Sequence, residues 1–323
     1  MNKNYLISTG GSGGHVIPAT ILYEHLVNEA NIIIAIDKRG LKYLKKEYKY
    51  EIINTPKLNN IILLPINFII VLILTIKSYF LLKKEKIEKL FSTGGYMSLP
   101  IILAARLLKL KIYLIEPNQV LGRANKFFLE SCQKIFCYTE KIKNFPSKYQ
   151  NKIEIINPLV KEKIYKIDRT FPKDDKFNIL IVGGSQGASI FDNSLKKKIF
   201  KISKTFQIRI THQTNENNIS ILKEYYEKNN IENFTFSFDP NFEKILINSD
   251  LCITRAGAST LAELSVMNIP FIAVPLPTAK DNHQLENANF YKDKDCCWIV
   301  KQQVFEEKIE ELLMRIIQNK TDL

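Results

Sequence analysis

The chain has 323 residues, 46% of them hydrophobic and 24% charged, with 12 glycines and 12 prolines, a composition that excludes a disordered or fibrous protein and favours two folded domains. Its formal net charge is +13, and residues 1–160 carry 23 Lys and Arg against 11 Asp and Glu, whereas residues 161–323 carry 23 against 22. This asymmetry indicates an anionic partner for the first half, either nucleic acid or an acidic membrane surface, unless it only reflects a lysine-rich composition.

Short β-rich runs alternate with longer helical patterns along the chain, which predicts an α/β fold with parallel sheets. The first half carries predicted strands at 5–8, 31–36, 51–54, 90–92, 112–115 and 135–138. The second half restarts the pattern at 178–182, 207–211, 234–238, 251–254 and 271–274. We therefore expect two doubly wound domains, 1–158 and 159–323, and a terminal helix at about 305–318 that packs back on the first domain.

Residues 61–82 form the most apolar segment, and a cluster of lysines follows it directly. A membrane-spanning helix needs about 20 uninterrupted apolar residues, and this segment is interrupted by Pro65, Asn67 and Lys77. We predict instead a domain helix over about 66–84 with an exposed apolar face. Apolar side chains beside lysines are the composition of an interfacial membrane contact.

Each half opens with a strand that runs into a Gly-Gly turn and then a helix, LISTGGSGGH at 6–15 and ILIVGGSQGA at 179–188. Such turns let the backbone approach a phosphate, which the first N–H groups of the helix attract. Neither turn has the Lys-Ser/Thr ending of an ATPase loop or the full G-x-G-x-x-G pattern. Asp37 is the nearest candidate for a ribose-binding acid after the first turn, so a nicotinamide enzyme stays a weak alternative.

Polar side chains follow the predicted strands at the same edges. His15 comes directly after the first turn, where an imidazole can exchange a proton near neutral pH. In the second half, Glu263 follows one strand, and His283, Gln284 and Asn287 follow the next. A carboxylate can hold ribose hydroxyls and amides suit sugar hydroxyls, so this half is predicted to bind a sugar nucleotide.

Eight motifs carry a family resemblance: GGSGGHVIPA, STGGYMS, EPNQVLGRANKF, NP at 157–158, GGSQGA, HQT at 212–214, RAGASTLAEL and PTAKDNHQLENA. Together and in this order, over about positions 6–290, they resemble the MurG family of peptidoglycan N-acetylglucosaminyltransferases, in glycosyltransferase family 28. The resemblance implies the GT-B fold, two Rossmann-like domains that face each other across a cleft. It also implies inverting transfer of N-acetylglucosamine from UDP-N-acetylglucosamine (UDP-GlcNAc) to the 4-hydroxyl of the muramyl sugar of lipid I, which gives lipid II and UDP.

The same resemblance implies a peripheral protein at the cytoplasmic face of the cell (inner) membrane. Its expected partners are UDP-GlcNAc, lipid I, an anionic membrane surface and other cell-wall synthesis proteins, with no nucleic acid, no cofactor and no essential metal. Five cysteines without a CxxC pair and a start without a secretory signal agree with the cytoplasmic side. The triplet Asp293-Lys294-Asp295 imitates a D-x-D metal signature but lies outside the matched motifs, so we interpret it as solvated charge.

The resemblance also assigns roles to individual positions. His15 is the candidate general base, and Asn118 positions the reacting sugars. Ser12, Gly13 and Gly14 cradle the acceptor diphosphate or border the donor. On the donor side, the phosphates are assigned to Ser185, Gln186 and Gly187, and uracil to the backbone of Asp239. The nucleoside is assigned to Ala258, Ser259, Thr260, Leu261, Ala262 and Glu263, with Glu263 on ribose. The GlcNAc is assigned to Gln284, with His283 and Asn287 beside it.

Four positions depart from the family pattern. The Arg two residues after the NP is Val160 here, with Lys161 next, and Lys lacks the bidentate fork of Arg. The HEQN pattern is Ile115-Glu116-Pro117-Asn118, and Leu99 replaces the usual Gly before a proline.

Two other classes remain open. A different GT-B UDP-sugar transferase or an epimerase would keep the second-half motifs but lack the basic, lipid-facing first half. A non-catalytic membrane-docking module would not need His15 and Glu263 together.

Overall fold

The computed structural model describes residues 3–56, 62–167, 174–184, 188–237, 239 and 241–319. The chain divides into two compact units, Met1–Glu162 and Lys163–Leu323. Each unit is built on one sheet whose strand pairs are all parallel, with helices between the strands. This confirms the predicted class of two Rossmann-like α/β domains.

The first unit contains seven strands, which pair in the order β3-β2-β1-β4-β5-β6-β7. The strands are β1 (Asn4–Ser8), β2 (Asn31–Ile36), β3 (Tyr50–Ile52), β4 (Lys89–Ser92), β5 (Lys111–Glu116), β6 (Lys134–Cys137) and β7 (Ile153–Ile155). The helices are α1 (Gly13–Leu26), α2 (Leu64–Lys84), α3 (Leu99–Leu107) and α4 (Arg123–Phe128), and α5 (Glu162–Tyr165) begins at the boundary of the two units.

The second unit contains six strands in the order β10-β9-β8-β11-β12-β13. The strands are β8 (Phe177–Val182), β9 (Ile208–Gln213), β10 (Glu232–Phe236), β11 (Leu251–Thr254), β12 (Phe271–Ala273) and β13 (Cys297–Ile299). The helices are α6 (Lys196–Ile202), α7 (Glu216–Lys228), α8 (Phe242–Ile247), α9 (Ala258–Val266), α10 (His283–Lys292) and α11 (Phe305–Gln318), and a π-helical segment over Phe191–Leu195 leads into α6.

The central strands are mostly apolar because helices cover both faces of a parallel sheet. In the first unit, Leu6 of β1 pairs with Ile33 of β2 and Leu90 of β4, and all three are buried. In the second, β8 is buried at every position. The loops at the carboxyl ends of these strands therefore start from fixed positions in the core of each unit.

The terminal helix α11 belongs to the core of the second unit. Its buried residues Phe305, Ile309, Leu313 and Ile316 recur at three- and four-residue spacing and pack in the same cluster as Phe191. This is the ordinary pattern of a helix whose apolar stripe faces a core.

Helix α2 has the opposite pattern. The stripe that it buries contains three polar residues, Asn67, Thr75 and Ser78, together with Val71 and Leu82. Outward-facing side chains include Phe68, Ile73 and Phe80, which are 69%, 59% and 63% exposed. The predicted helix with an exposed apolar face is therefore confirmed.

By length and composition alone, α2 could cross a membrane. Only 22% of its most apolar stretch is buried in the protein. It joins two parallel strands of one sheet, β3 and β4, and it packs along α3. Such a crossover helix lies against the sheet that it connects.

Candidate active site

The order of strands predicts a ligand site at the carboxyl ends of the strands in each sheet. These ends are called the first edge, in the first unit, and the second edge, in the second unit. Chain connections reverse direction between β1 and β4 in the first unit and between β8 and β11 in the second. In open α/β sheets, ligands bind outside the carboxyl ends of the strands at this switch point. All four strands there end in the glycine-containing turns singled out in the sequence.

The first turn has no room for side chains at its centre. A Cβ atom on Gly10 would lie 2.7 Å from Asp37 Oδ1 and 2.9 Å from Met97 Sδ, and Gly11 has a φ of +84°. The buried Asp37 carboxylate accepts the N–H of Gly11 at 2.8 Å and that of Gly40 at 3.2 Å. Asp37 thus fixes the turn, and its carboxylate is occupied by protein donors instead of facing a ribose.

His15 follows this turn on the first helical residues of α1. Its Nδ1 lies 2.8 Å from the carbonyl oxygen of Thr93, at the end of β4. A carbonyl only accepts, so Nδ1 carries the proton and Nε2 of the neutral ring can take one. Gly94 and Gly95 lie beside the ring, and their φ angles of +87° and +84° favour glycine at both positions.

Helix α1 begins with open donors. Ser12 is its N-cap and makes no side-chain cap hydrogen bond. Within the part of the chain that the structure describes, the N–H groups of Gly13 and Gly14 have no hydrogen-bond partner, whereas His15 N donates to Ser12 O at 3.1 Å. Such a helix start attracts anions.

Ser12 and His15 border a single pocket of about 310 Å³, whereas Gly13 and Gly14 are not among its lining residues. Its lining residues are Gly10, Gly11, Ser12, His15, Arg39, Gly95, Tyr96 and Met97. The predicted base and the predicted anion-binding turn therefore share one cavity.

Asn118 lies at the end of β5 and is oriented by a buried carboxylate. Its Nδ2 donates to Glu116 Oε1 at 3.0 Å, while Glu116 Oε2 accepts from Gly122 N at 2.7 Å and from Asn125 Nδ2 at 3.0 Å. Among the described residues, Oδ1 of the buried Asn125 has no hydrogen-bond partner. Sequence reasoning gave neither Glu116 nor Asn125 a role, although both lie in the quoted EPNQVLGRANKF motif.

At the second edge, α9 starts immediately after β11. Its N-cap, Gly257, has extended φ and ψ of −74° and 132°, and a Cβ there would meet no atom of the described residues within 4 Å. The first backbone N–H groups of α9, from Ala258, Ser259 and Thr260, are therefore at an open helix start. Ser185, Gln186 and Gly187 of the GGSQGA motif lie outside the described residues.

The side chains farther along α9 are not all available to a ligand. Leu261 and Ala262 are completely buried in the core, and Glu263 is nearly so. Only the carboxylate of Glu263, among these three side chains, has the chemistry to bind a ribose hydroxyl.

Helix α10 supplies amides and one imidazole. Asn287 is buried and donates to the carbonyl of Ala256 at 3.1 Å, so it ties α10 to the turn before α9. Gln284 Oε1 accepts Leu276 N at 3.0 Å, which leaves its Nε2 hydrogens for another acceptor. His283 is half-buried, and its Nδ1 lies 2.8 Å from the carbonyl oxygen of Lys280.

Asp239 lies beyond β10, between two residues that are not described. Its Oδ1 accepts the N–H of Asn241 at 2.7 Å. Its predicted backbone contact with uracil stays a prediction.

Both halves of the chain match known protein families. Residues 5–137 match the glycosyltransferase family 28 N-terminal domain, and residues 178–323 match the glycosyltransferase family 28 C-terminal domain. A protein of Pelagibacter ubique (strain HTCC1062), the UDP-N-acetylglucosamine--N-acetylmuramyl-(pentapeptide) pyrophosphoryl-undecaprenol N-acetylglucosamine transferase, is 49% identical over 326 residues, which cover 100% of this chain and 91% of that protein. This chain belongs to glycosyltransferase family 28.

Two further comparisons agree with family 28. A protein of the same name from Rickettsia canadensis (strain McKiel) is 34% identical, over 98% of this chain and 91% of that protein. The crystal structure of Acinetobacter baumannii MurG has a TM-score of 0.77 at 23% identity and covers 99% of this chain and 92% of that one. The structural likeness supports the fold.

Two of the family 28 departures, Val160 and Leu99, have a defined local setting. Val160 is completely buried, and its carbonyl oxygen lies 2.9 Å from Nε2 of His25 on α1. Leu99 and Pro100 are the first two residues of α3, where proline is well tolerated because its missing N–H is not needed there.

A buried network behind the second edge was missed by sequence reasoning. His212, at the end of β9, is completely buried, with Nδ1 2.9 Å from the Tyr226 hydroxyl and Nε2 3.3 Å from Asp192 Oδ1. Burial lowers the pKa of His212. Burial opposes ionisation of Asp192, but contacts with His212, Thr214 and Asn218 hold its pKa below the ordinary value. The HQT motif at 212–214 was the one sequence feature that could have pointed to this network.

Proposed function

We propose that this chain transfers N-acetylglucosamine from UDP-GlcNAc to the 4-hydroxyl of the muramyl sugar of lipid I, forming lipid II and UDP with inversion at the sugar carbon. The observation that carries the proposal is His15, which lines the pocket at the β1/β4 switch point and whose Nδ1 contacts the Thr93 carbonyl oxygen. The name of the relative that is 49% identical over the whole chain supports the choice of substrates.

The first unit binds the acceptor in this proposal. His15 Nε2 takes the proton of the acceptor hydroxyl as the oxygen attacks the sugar carbon, and Thr93 holds the ring through Nδ1–H. A single displacement from the side opposite UDP inverts that carbon. Asn118, oriented by Glu116, positions the reacting sugars.

The second unit binds the donor. The open start of α9 and the turn at Ser185, Gln186 and Gly187 bind the diphosphate, and Glu263 holds the ribose. The backbone at Asp239 meets uracil, and Gln284 holds the GlcNAc through the Nε2 hydrogens that its contact with Leu276 leaves over. A 34–49% identity to proteins named for this donor supports the assignment.

Departure of UDP leaves negative charge on the diphosphate, which fixed backbone N–H groups at a helix start can stabilise. No group of three or more metal-ligating side chains was found in the part of the chain that the structure describes. We expect transfer to continue in EDTA, and its abolition, reversed by a divalent cation, would overturn the metal-free scheme.

We further propose that α2 docks on the cytoplasmic face of the cell membrane. Its outward side chains are apolar, its buried stripe is largely polar, and exposed Lys77, Lys83 and Lys84 accompany the apolar face. Apolar insertion combined with lysines suits a bilayer rich in acidic lipids. A peripheral position of this kind brings the first unit to a lipid-linked acceptor.

Cosedimentation with vesicles tests the docking. The variant with Phe68, Ile73 and Phe80 replaced by Glu should bind phosphatidylglycerol vesicles far less than the natural chain. Ile221→Glu, on α7 of the second unit, changes a similarly exposed apolar residue and is the matched control. Equal binding of the triple variant and the natural chain would refute docking through α2.

The reaction is tested with the purified chain, labelled UDP-GlcNAc and a lipid I analogue. The expected products are labelled lipid II with a β-linked sugar and one UDP per transfer. Conversion of UDP-GlcNAc to another UDP-sugar without an acceptor would identify an epimerase instead. Vesicle binding without any turnover would identify a docking module.

A further inference from the structure

Arg39 follows β2 and lies in the pocket that holds His15. Its Nε donates to Asp37 Oδ2 at 2.6 Å, and its Nη2 contacts the Tyr96 hydroxyl. The guanidinium carbon lies 5.4 Å from the centre of the Tyr96 ring. The carboxylate that holds Arg39 is buried, whereas the Arg39 side chain itself is 46% exposed.

This arrangement fixes the guanidinium without using all its donors. An arginine has five N–H groups, and no described residue accepts from the two on Nη1. Nη2 lies beside the glycine turn, 3.8 Å from the place a Cβ on Gly11 would take. A positive group with spare donors therefore faces the cavity, held by Asp37, which also holds the turn.

We infer that Arg39 binds the diphosphate of the lipid-linked acceptor and that Asp37 and Tyr96 position it; this rests on the proposed function. A guanidinium matches phosphate oxygens with two parallel hydrogen bonds, which an ammonium group cannot do. The acceptor is favoured over the donor because the base for the acceptor hydroxyl, His15, lines the same pocket.

A carboxylate of the acceptor's stem peptide offers the same chemistry to a guanidinium. The experiment therefore uses two probes. Methylenediphosphonate carries the diphosphate chemistry alone, and a lipid I analogue with an amidated stem peptide lacks the peptide carboxylates but keeps the diphosphate.

The test compares the natural full-length chain with Arg39→Met, Arg39→Lys and Lys38→Met. Lys38→Met removes one positive charge from the neighbouring exposed residue and is the matched control. Arg39→Met should raise the acceptor KM and the calorimetric Kd for methylenediphosphonate by about tenfold to a hundredfold, the usual effect of losing charged hydrogen bonds. Arg39→Lys should restore only part of this affinity, while the Kd for UDP-GlcNAc stays within twofold in all variants.

Two results would overturn the inference. One is an unchanged acceptor KM and methylenediphosphonate Kd in Arg39→Met. The other is an Arg39→Met effect that disappears with the amidated acceptor, since Arg39 would then read the peptide. If the natural chain transfers no sugar at all, the proposed reaction fails instead, and binding of methylenediphosphonate still decides whether Arg39 is an anion site.

Discussion

The two sheet edges share a frame but differ in the histidine that each holds. Both lie at a switch point in a Rossmann-type strand order, and both combine a glycine turn with the start of a helix. His15 is half-buried and lines an open pocket, whereas His212 is completely buried between Tyr226 and Asp192. In the proposed reaction, the same fold therefore serves proton transfer at one edge and rigid support at the other, and local packing decides which.

The largest effect is expected at His15. His15→Gln keeps a polar side chain of similar size but cannot act as a base, so kcat should fall by about 10²–10⁴-fold. The calorimetric Kd for UDP-GlcNAc should not change. His25→Gln, on the same helix but outside the pocket, is the control; if it loses as much activity as His15→Gln, the assignment of the base is wrong.

A second contrast concerns ligand binding at the other edge. Glu263→Gln removes the charge proposed to hold ribose, so the KM for UDP-GlcNAc should rise by about tenfold to a hundredfold. The KM for the acceptor should stay within twofold. Glu307→Gln on the exposed side of α11 provides a charge-matched control. An acceptor-specific defect in Glu263→Gln would break the division of labour between the two edges.

Substituting a glycine should affect the free energy of unfolding differently at the two edges. Gly10→Ala places a methyl group against Asp37 and Met97 and should lower the free energy of unfolding by about 1–3 kcal/mol. Gly257→Ala meets open space with an ordinary φ and should stay within about 0.5 kcal/mol. Urea denaturation measures both. Equal losses would show that Gly10 is not confined by its neighbours.

The smallest expected effect is the loss of stability of the second unit at acidic pH. Because burial lowers the pKa of His212 in the folded chain, the unfolded chain binds more protons once the pH falls below about 6.5. Stability of the second unit should therefore be full above that pH and decline below it. Trp298, the single tryptophan, lies in this unit and reports its unfolding by fluorescence. In His212→Gln the urea midpoint should depend less on pH between 7.5 and 5.5; an undiminished slope would place the responsible group elsewhere.

The sequence predicts the frame well where local pattern suffices. Long apolar strands and the Gly-Gly turns identify the sheet edges, and the position of His15 after the first turn identifies the pocket. Two strands were missed, β7 and β13; each has only three residues, below the usual strand length, and β7 has a glutamate at its centre.

Roles that depend on distant residues were less accessible. Asp37 is a strand-end acid in sequence, but its bond to Gly11, 26 positions away, is set by the packing of β1 beside β2. Glu116 likewise gains its role from Gly122 and Asn125, which α4 brings back to the end of β5. Periodicity and composition contain no information on such contacts.

Helix α2 shows that folding and surface properties can be assigned to different faces of one element. The core of the first unit takes only a narrow stripe from it, so the outward side chains contribute little to the stability of the fold. Recoding that outer face with polar residues should therefore yield a monodisperse protein that needs no detergent, while the catalytic pocket keeps its geometry. Such a variant would allow kinetics with truncated, freely diffusing acceptors.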